Sequence, residues 1–326
     1  MTLAKNILTS IFITFSLLAC SQKASSNKDF FSFDDIYEPS AIIQLSDGRI
    51  LIAEDEKDYP FSLLSFDSNA KKNQHFKRLP FDVTLKYSDG SKAPLLNDLE
   101  GLTQGKQHWI YATTSHSRNS KGKRKAEREQ LVRFRIEKDG IVDYQIAIGL
   151  TEYLQATLPK KKAFKKLNIE GLAYDQQHGD LLLGLRSPLH KNKATLIRLK
   201  NPEALFKIRN ASHSNSSTEV SHETKLLDLD GNSIRSIEYD PILKGYIIVA
   251  GSVKDRGKPF KLWLWKENKL QKIKLKGIDS IGYTEGITSV KDSQGNAQLL
   301  LVHDDGQRGQ SAGHYQLLPY DKITLK

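Results

Sequence analysis

Short apolar segments recur along the chain between residues 38 and 320 and are separated by turn residues. One phrase opens each group of segments in nearly the same hydrophobic frame, as EPSAI (38–42), DLEGL (98–102), NIEGL (168–172), SIRSI (233–237) and YTEGI (283–287). These phrases start 60, 70, 65 and 50 residues apart. Short β-rich runs with turn signals and a regular internal spacing indicate a radial repeat.

Each phrase begins a first strand, and further apolar strands follow it. The second strands are RILIAE, WIYATT, DLLLGL, YIIVAG and QLLLVH, and the third are SLLSFD, LVRFRI, TLIRLK, KLWLWK and HYQLLPY. Weaker fourth strands, FKRLPF, YQIAI, TKLLDL and QKIKLK, follow in the first four copies only. Four strands per unit of about 60 residues predict an all-β fold, a five-bladed β-propeller.

The two ends of the repeat predict how the ring closes. The fifth copy has no fourth strand of its own, and the N-terminal DFFSFDD (29–35) is a strand without three partners before it. We expect this segment to complete the last blade, because a closed ring protects sheet edges. The alternative is a six-bladed ring with one degenerate blade in the long connection at 138–166.

The N-terminus, MTLAKNILTSIFITFSLLAC, has one lysine before a short apolar run, which is typical of a signal peptide. Its end, LLAC, resembles a bacterial lipobox, in which the cysteine becomes the lipidated N-terminus. Cys20 is the only cysteine, so no disulfide is possible. We predict a signal peptide over 1–19, a tether over 20–28 and a propeller domain over 29–326. An ordinary signal peptide is the alternative.

The lipobox also predicts a location. Ser21 follows the cysteine, and by analogy with bacterial lipoproteins this favours the outer membrane, with the protein facing either the periplasm or the surface. No second apolar run approaches membrane length.

The formal net charge of +11 suggests anionic partners. The basic clusters at 118–128 and 160–166 lack interleaved aromatics, so we interpret them as solvated loops and expect a monomer that binds no nucleic acid.

Polar residues of the five phrases are expected to converge at the propeller axis. In a propeller the first strand of each blade lines the central channel, and residues two apart share a side of a strand. The central residue changes sign once around the ring: Ser40, Glu100, Glu170, Arg235 and Glu285. The second strands return to the same face, where their exit residues should join this set.

These positions predict a metal or ion-pair site. Several carboxylates near one axis raise one another's pKa unless a cation compensates them. Hard oxygen ligands suit Ca²⁺, and a closed salt-bridge ring that only fixes the blades is the alternative. The predicted metal ligands are Glu38, Asp98, Glu100, Glu170, Glu285 and Asp304. The predicted groups for an anionic substrate are Arg186, Arg235 and Ser115. His116 and His303, at strand exits, are the candidates for acid–base catalysis.

Two stretches, NIEGLAYD…LLLGLRSP (168–188) and IRSIEYD…YIIVAGS (234–252), resemble an uncharacterised bacterial β-propeller lipoprotein family, a domain of unknown function. The chain is more loosely similar to SdiA-regulated propellers and phytase-like esterase propellers, which share EPSGI and EGL openings. That similarity implies Ca²⁺ and ester or phosphoester hydrolysis. Glu100, Glu170 and Glu285 match the EGL glutamates, and Glu38 matches the EPSGI glutamate, although Ala41 replaces the glycine there.

The sequence thus predicts an envelope-anchored propeller lipoprotein with a polar, calcium-binding axial pocket. The pocket would bind a small anionic ligand, and a metal-assisted hydrolysis there would use the carboxylates for the metal, the arginines for the substrate and a histidine for the proton. The alternative function is a scaffold without catalysis that docks another envelope component. Propellers host both classes, so the fold does not decide between them.

Overall fold

The computed structural model describes residues 30–56, 58–67, 74–87, 89–147, 149–157, 166–206, 220–254 and 259–326. The predicted signal peptide, the tether with Cys20 and most of the basic cluster at 160–166 lie outside these residues. Within the described ranges, 21 strands form five antiparallel sheets that pack around one axis. The prediction of an all-β, five-bladed propeller is confirmed.

Each blade is one sheet whose first strand lies at the axis. Blade 1 contains β2 (Pro39–Gln44), β3 (Ile50–Glu54), β4 (Phe61–Phe66) and β5 (Phe76–Arg78). Blade 2 contains β6 (Leu99–Gln104), β7 (Ile110–Thr114), β8 (Leu131–Glu137) and β9 (Gly140–Ile146). Blade 3 contains β10 (Asn168–Asp175), β11 (Asp180–Ser187), β12 (Ala194–Lys200) and β13 (Ser221–Leu227). Blade 4 contains β14 (Ser233–Asp240), β15 (Gly245–Gly251), β16 (Lys261–Lys266) and β17 (Lys269–Leu275).

Blade 5 is assembled from both ends of the chain. It contains β18 (Thr284–Lys291), β19 (Ala297–His303) and β20 (His314–Pro319), and β1 (Phe31–Ser32) is its fourth strand. Phe31 pairs with Tyr315, and Phe33, which is buried, joins the apolar core between blades 5 and 1. The predicted closure of the ring by the N-terminal segment is therefore confirmed.

A second closing strand is present that the sequence does not predict. After β20 the chain makes a short 3₁₀ turn (Tyr320–Lys322) and then forms β21 (Ile323–Leu325) on the outer edge of blade 4, beside β17. The backbone groups of Lys272 and Lys326 exchange two hydrogen bonds of 3.0 and 3.2 Å. Blade 4 thus has five strands, and the added strand covers an edge that would otherwise be open to other chains.

The described residues of the connection at 138–166 do not form a sixth blade. Gly140–Ile146 is the fourth strand of blade 2, and it is followed by helix α1 (Leu150–Thr157). Leu150 and Leu154 of this helix are buried in the core between blades 2 and 3. The described chain has no helix that is long and apolar enough to cross a membrane.

Five apolar cores lie between neighbouring blades, and they explain the continuous apolar second strands. In β11, Leu181 and Leu183 face the core shared with blade 2, while Leu182 faces the core shared with blade 4. Because side chains alternate along a strand, a blade packed on both faces needs apolar residues at successive positions. This packing holds the first strands side by side around the axis.

Candidate functional site

The axis opens at one end into a polar cavity of about 170 Å³. The central residues of all five phrases line it, as predicted, together with residues from the second-strand exits and from one loop. The lining residues are Ser40, Asp55, Asp98, Glu100, Arg128, Asn168, Glu170, Arg186, Arg235, Glu285 and Asp304. The set contains six carboxyl groups and three guanidinium groups.

A β-bulge at the same position of every blade presents the central residue to the axis. In each blade the register between the first and second strands shifts across the central residue, which has no direct partner on the second strand. The five residues left out of the pairing are Ser40, Glu100, Glu170, Arg235 and Glu285. A bulge re-aims a side chain and increases the local bend of its strand. The repeated phrase therefore encodes the direction of five side chains toward one point.

The glycine after the bulge is needed for close packing of adjacent first strands. A Cβ atom at Gly101 would lie 2.6 Å from the Cβ of Leu172 in the next blade, and one at Gly171 would lie 2.8 Å from the Cγ2 of Ile237. Both distances are below any ordinary contact. In the EGL phrase, the glutamate therefore lines the cavity, the glycine allows the neighbouring first strands to pack closely, and the leucine contacts the preceding blade.

On one side of the cavity Arg235 joins two glutamates. Its Nε lies 2.9 Å from Oε2 of Glu170 and donates a hydrogen bond of 3.1 Å to Oε2 of Glu285, while its Nη2 also donates to Glu285. Arg235 is 2 % exposed, and its guanidinium lies 5.2 Å from the centre of the Phe260 ring. The sign change in the repeat thus places a buried cation between two buried carboxylates, as expected.

Arg186 adds a second cation on the same side. It stands near the end of β11, and its Nη1 donates a 2.7 Å hydrogen bond to Oε1 of Glu170. Burial raises the pKa of Glu170 and the two guanidiniums lower it. Burial likewise raises the pKa of Glu285, against the lowering effect of Arg235. We call Glu170, Arg186, Arg235 and Glu285 the paired side of the cavity.

Across the cavity, Asp98 is held by a loop that was not predicted from the sequence to reach the axis. Arg128, at the end of a 3₁₀ turn (Ala126–Arg128) between β7 and β8, donates to Oδ2 of Asp98. Ser115 donates to the same oxygen, and Ser115 itself is fully buried behind Asp98 and does not line the cavity. The basic cluster at 118–128 is therefore not only a solvated loop, because its last residue reaches the axis.

Glu100 and Asp55 have no ion pair with a lysine or arginine in the part of the chain that the structure describes. Burial raises the pKa of Glu100 well above its usual value, and the charges of Glu170 and Asp98 raise it further. Desolvation and the charge of Asp98 raise the pKa of Asp55 as well. With Asp304, these residues form what we call the acidic side of the cavity.

A buried acceptor atom also faces this cavity without a partner. Asn168 donates from Nδ2 to Oε1 of Glu170 at 3.4 Å, but its Oδ1 is buried and accepts no hydrogen bond from any described residue. A buried polar atom without a partner has a free-energy cost unless a ligand or water satisfies it. The lining therefore offers oxygen acceptors to something that donates hydrogen bonds or carries positive charge.

The two predicted catalytic histidines do not face the cavity. His303 is fully buried against Phe30, with ring centres 4.9 Å apart, and its Nδ1 lies 3.5 Å from Oγ1 of Thr284. Thr284 precedes Glu285 and therefore points to the other side of β18. His116 has a left-handed backbone, φ 54°, and its Nδ1 lies 3.3 Å from Oγ1 of Thr151, beside α1.

Both histidines are neutral at physiological pH. Burial lowers the pKa of His116 to about 3 and that of His303 to about 4. The expectation that they face the axis is thus wrong, because neither lines the cavity, and acid–base catalysis by them stays a prediction. Glu38 lies outside the cavity lining; burial and the charge of Asp304 raise its pKa.

The six predicted metal ligands do not act as one set. Glu170 and Glu285 are ion-paired with Arg235, and Asp98 accepts from Arg128. Among the described residues, no three histidine, cysteine, aspartate or glutamate side chains converge in a geometry that could hold a metal ion. Calcium therefore stays a prediction, and the carboxylates of this set and its surroundings that have no ion pair with a described lysine or arginine include Glu100 and Asp55.

Solved structures show only distant similarity to this chain. A Thermus thermophilus oxidoreductase (glucose dehydrogenase) is 13 % identical, with a TM-score of 0.36, and the match covers 89 % of this chain and 99 % of that one. The major Malassezia sympodialis allergen Mala s 1 is 11 % identical, with a TM-score of 0.44 and coverages of 87 % and 93 %. A Bacteroides thetaiotaomicron protein of unknown function is 11 % identical, with a TM-score of 0.41 and coverages of 89 % and 72 %.

No curated protein matches the sequence. One family matches residues 143–318, a range that runs from the fourth strand of blade 2 to the third strand of blade 5 and includes the whole paired side. Its description is "Protein of unknown function (DUF3616)". Because this match spans more than half of the chain, the protein belongs to the DUF3616 family of proteins of unknown function.

Proposed function

We propose that this protein is an envelope-anchored β-propeller whose axial cavity binds a small cation. The observation that supports this most strongly is the charge balance of the lining, where six carboxyl groups face three guanidinium groups. Each of the three guanidiniums is already engaged with a carboxylate: Arg128 with Asp98, Arg186 with Glu170, and Arg235 with Glu170 and Glu285. Glu100 and Asp55 have no such pair with a described lysine or arginine.

A cation would relieve the electrostatic strain on that side. Glu100 is surrounded by other carboxylates, and in a partly desolvated site like charges disfavour one another's ionised forms. Burial and the neighbouring carboxylates raise the pKa of Glu100 and so favour its protonated form. With a cation it can ionise and bind, assisted by Asp55 and by the unsatisfied Oδ1 of Asn168.

The size of the cavity limits the ligand. A volume of about 170 Å³ corresponds to roughly five or six water molecules at about 30 Å³ each. This is room for a metal ion with part of its water shell or for a small organic ammonium. Carboxylate and amide oxygens suit a hard ion such as Ca²⁺, and they also accept hydrogen bonds from an ammonium group.

The same charge balance disfavours the small anionic ligand predicted from the sequence. An anion at the axis would need a guanidinium that is not already paired, and those among the lining residues are all in ion pairs. Hydrolysis of an anionic ester at the axis therefore stays a prediction without a free anion-binding group to support it.

Thermal unfolding with and without cations tests the proposal. A ligand that binds only the folded state stabilises it by about 2.7 kcal/mol at a hundredfold excess over its dissociation constant. We expect CaCl₂ or ethylammonium chloride to raise the melting temperature relative to the same ionic strength of NaCl, and Glu100→Gln to abolish the increase. Glu137→Gln, at an exposed end of β8, is the matched control.

The choice between the two cations comes from the same titration. An increase with Ca²⁺ alone identifies a metal site, and an increase with ethylammonium alone identifies an amine site. If neither cation changes the melting temperature of the wild type, cation binding is refuted. The axial residues then form a salt-bridge ring that only holds the blades, which is the function expected of a scaffold without catalysis.

The envelope anchor rests on the lipobox-like LLAC sequence ending at Cys20. Labelling cells that express the full chain with radioactive palmitate should mark the wild type and leave Cys20→Ser unlabelled. Fractionation of the labelled cells should place the wild type in the outer membrane. Equal labelling of the two proteins would refute the anchor and leave the cation proposal unaffected, since the axial cavity is far along the chain from this segment.

A further inference from the structure

A second and larger cavity lies between blades 3 and 4, at the opposite end of the propeller. It has a volume of about 680 Å³ and is lined where β10 ends, at Asp175, and where β11 begins, at Asp180. The axial cavity is lined by residues at the other ends of these two strands, Glu170 and Arg186. The two cavities therefore share no lining residue, and we call this second one the blade 3–4 groove.

One wall of the groove is a row of three aromatic rings. Tyr239 packs edge-on against Tyr246, and Tyr246 packs against Trp265, with ring centres 5.4 Å apart in both pairs. Trp265 is 5 % exposed, whereas Tyr239 is 40 % exposed. The two inner rings, Trp265 buried and Tyr246 half-buried, thus hold the outermost ring in place and leave part of it open to the groove. An exposed aromatic ring supported in this way can contact the flat face of a ligand.

The floor of the groove is fixed by ion pairs among its own residues. Arg198 donates to Asp175 at 2.5 Å and to Asp180 at 2.9 Å, and all three residues are largely buried. Lys200 pairs with Glu223 on the adjacent strand. These five groups, three carboxylates and two cations, pair with one another, so they shape the groove and leave it one negative charge.

The charges that remain in the lining are mainly positive. They belong to Lys225, Lys244 and Lys266, against the single carboxylate of Glu267. The ammonium of Lys225 lies 5.3 Å from the centre of the Trp265 ring and donates to Oδ1 of Asn268. Lysine binds phosphate groups as a compact point charge. The groove therefore combines an open aromatic face with three ammonium groups within one concave surface.

We propose that the blade 3–4 groove binds a phosphate monoester that carries a ring, with the ring against Tyr239 and the phosphate near the lysines. A nucleoside monophosphate and a sugar phosphate share this chemistry, and the experiment separates them. The proposal does not depend on the axial cation site, since the two cavities lie at opposite ends of the fold. It also assigns the anionic partner suggested by the basic composition to a place other than the axis.

Isothermal titration of the full chain with adenosine monophosphate, glucose 6-phosphate and inorganic phosphate tests it. We expect one of the ring-bearing esters to bind at least about tenfold more tightly than inorganic phosphate. Tyr239→Ala should weaken the binding of that ester by about 5- to 100-fold, the range associated with one lost stacking contact. It should leave the binding of inorganic phosphate unchanged. Lys244→Gln, at an exposed turn position, should weaken all three ligands because it removes charge and not ring contact.

Matched controls lie elsewhere on the surface. Tyr59→Ala removes a comparably exposed tyrosine of blade 1, and Lys291→Gln removes an exposed lysine of blade 5. Neither should change the affinities, and Glu100→Gln at the axis should not change them either. The proposal is refuted if both esters fail to bind at millimolar concentration, or if Tyr239→Ala and Lys244→Gln, both folded by circular dichroism, bind the esters as the wild type does.

Discussion

The two sides of the axial cavity use the same sequence phrase in opposite ways. On the paired side, Glu170 is ion-paired with two guanidiniums and Glu285 with one, so buried negative charge is compensated within the protein. On the acidic side, Glu100 has the same place in its blade and the same glycine after it, but has no ion pair with any described cation. The position in the repeat thus determines the direction of the carboxylate, and the residues around it determine whether its charge is compensated.

This difference separates stability from binding. A compensated buried pair contributes mainly to the specificity and stability of the folded ring, because breaking it leaves a buried charge without a partner. An uncompensated carboxylate lowers stability and is available to a ligand. The paired side is therefore expected to be sensitive to neutralising substitutions, and the acidic side is expected to tolerate them and lose binding instead.

The largest effect is expected for Arg235→Gln. Removal of the central guanidinium leaves Glu285 without its partner and Glu170 with Arg186 only, which should lower the free energy of unfolding by about 3–5 kcal/mol. Arg235→Lys keeps the charge but not the forked geometry and should lose less. Denaturation in guanidinium chloride measures both. A loss below about 1 kcal/mol for the glutamine variant would contradict the described pairing.

Glu170→Gln should have the next largest effect. The substitution keeps the shape of the side chain but removes the charge that balances Arg186 and part of Arg235, and hydrogen bonds to charged groups are worth about 1.5–3 kcal/mol. We expect a loss within that range, measured by the same denaturation experiment. The double variant Glu170→Gln with Arg235→Gln should lose less stability than the sum of the two single losses, because the two side chains interact directly.

Glu100→Gln should act in the opposite direction. It removes a half-buried carboxyl that lies among other carboxylates, and we expect it to stabilise the protein at pH 7.5 by about 1 kcal/mol, the scale of a typical stabilising substitution. Chemical denaturation without added divalent ions measures the change. If this variant is destabilised as much as Glu170→Gln, the two sides of the cavity are equivalent and the comparison fails.

The pH dependence gives the sign of the Glu100 effect independently. The pKa of Glu100 is raised in the folded protein above its usual 4.5. A carboxyl of this kind contributes stability below about pH 4.5, and that contribution is lost as the pH rises through the folded pKa. The stability advantage of Glu100→Gln over the wild type should therefore be near zero at pH 4 and grow toward pH 8. An advantage that shrinks over this interval would contradict the raised pKa.

The smallest effect on stability is expected for Arg128→Gln. Its pair with Asp98 is partly open to water, with side-chain exposures of 21 % and 10 %, so we expect a loss of about 0.5–1 kcal/mol. The same substitution removes positive charge from the acidic side and should tighten the binding of a cation. Titration with CaCl₂ and with ethylammonium chloride, followed by the melting temperature, would show whether both effects occur together.

The sequence alone predicts the ring and the direction of its axial residues. The recurring phrase identifies all five first strands because it repeats in one hydrophobic frame, and the DFFSFDD segment identifies the closing strand because it has no partner strands of its own before it. The opposite charge of Arg235 predicts an ion pair with Glu170 or Glu285, which the structure confirms. These features depend on strand alternation and on the order of blades, and both can be read along the chain.

Other features depend on tertiary contacts that no local pattern encodes. β21 is three residues long and is stabilised by the edge of blade 4, and Arg128 reaches Asp98 because the loop before β8 folds over the axis. His116 turns away from the axis through a left-handed backbone at the end of a strand. An alternation argument fails there, because it applies only while the strand continues.

The bulge that recurs in all five blades has a consequence for engineering. The residue at each bulge is left out of the pairing between the first two strands of its blade, so exchanging its side chain leaves the rest of that pairing in place. Charge and size at the axis can therefore be varied most readily at Ser40 and Glu100, which lie outside the paired side, while the sheets and the cores between blades remain intact. A combinatorial library restricted to these two codons would sample new ligand specificities on the same scaffold.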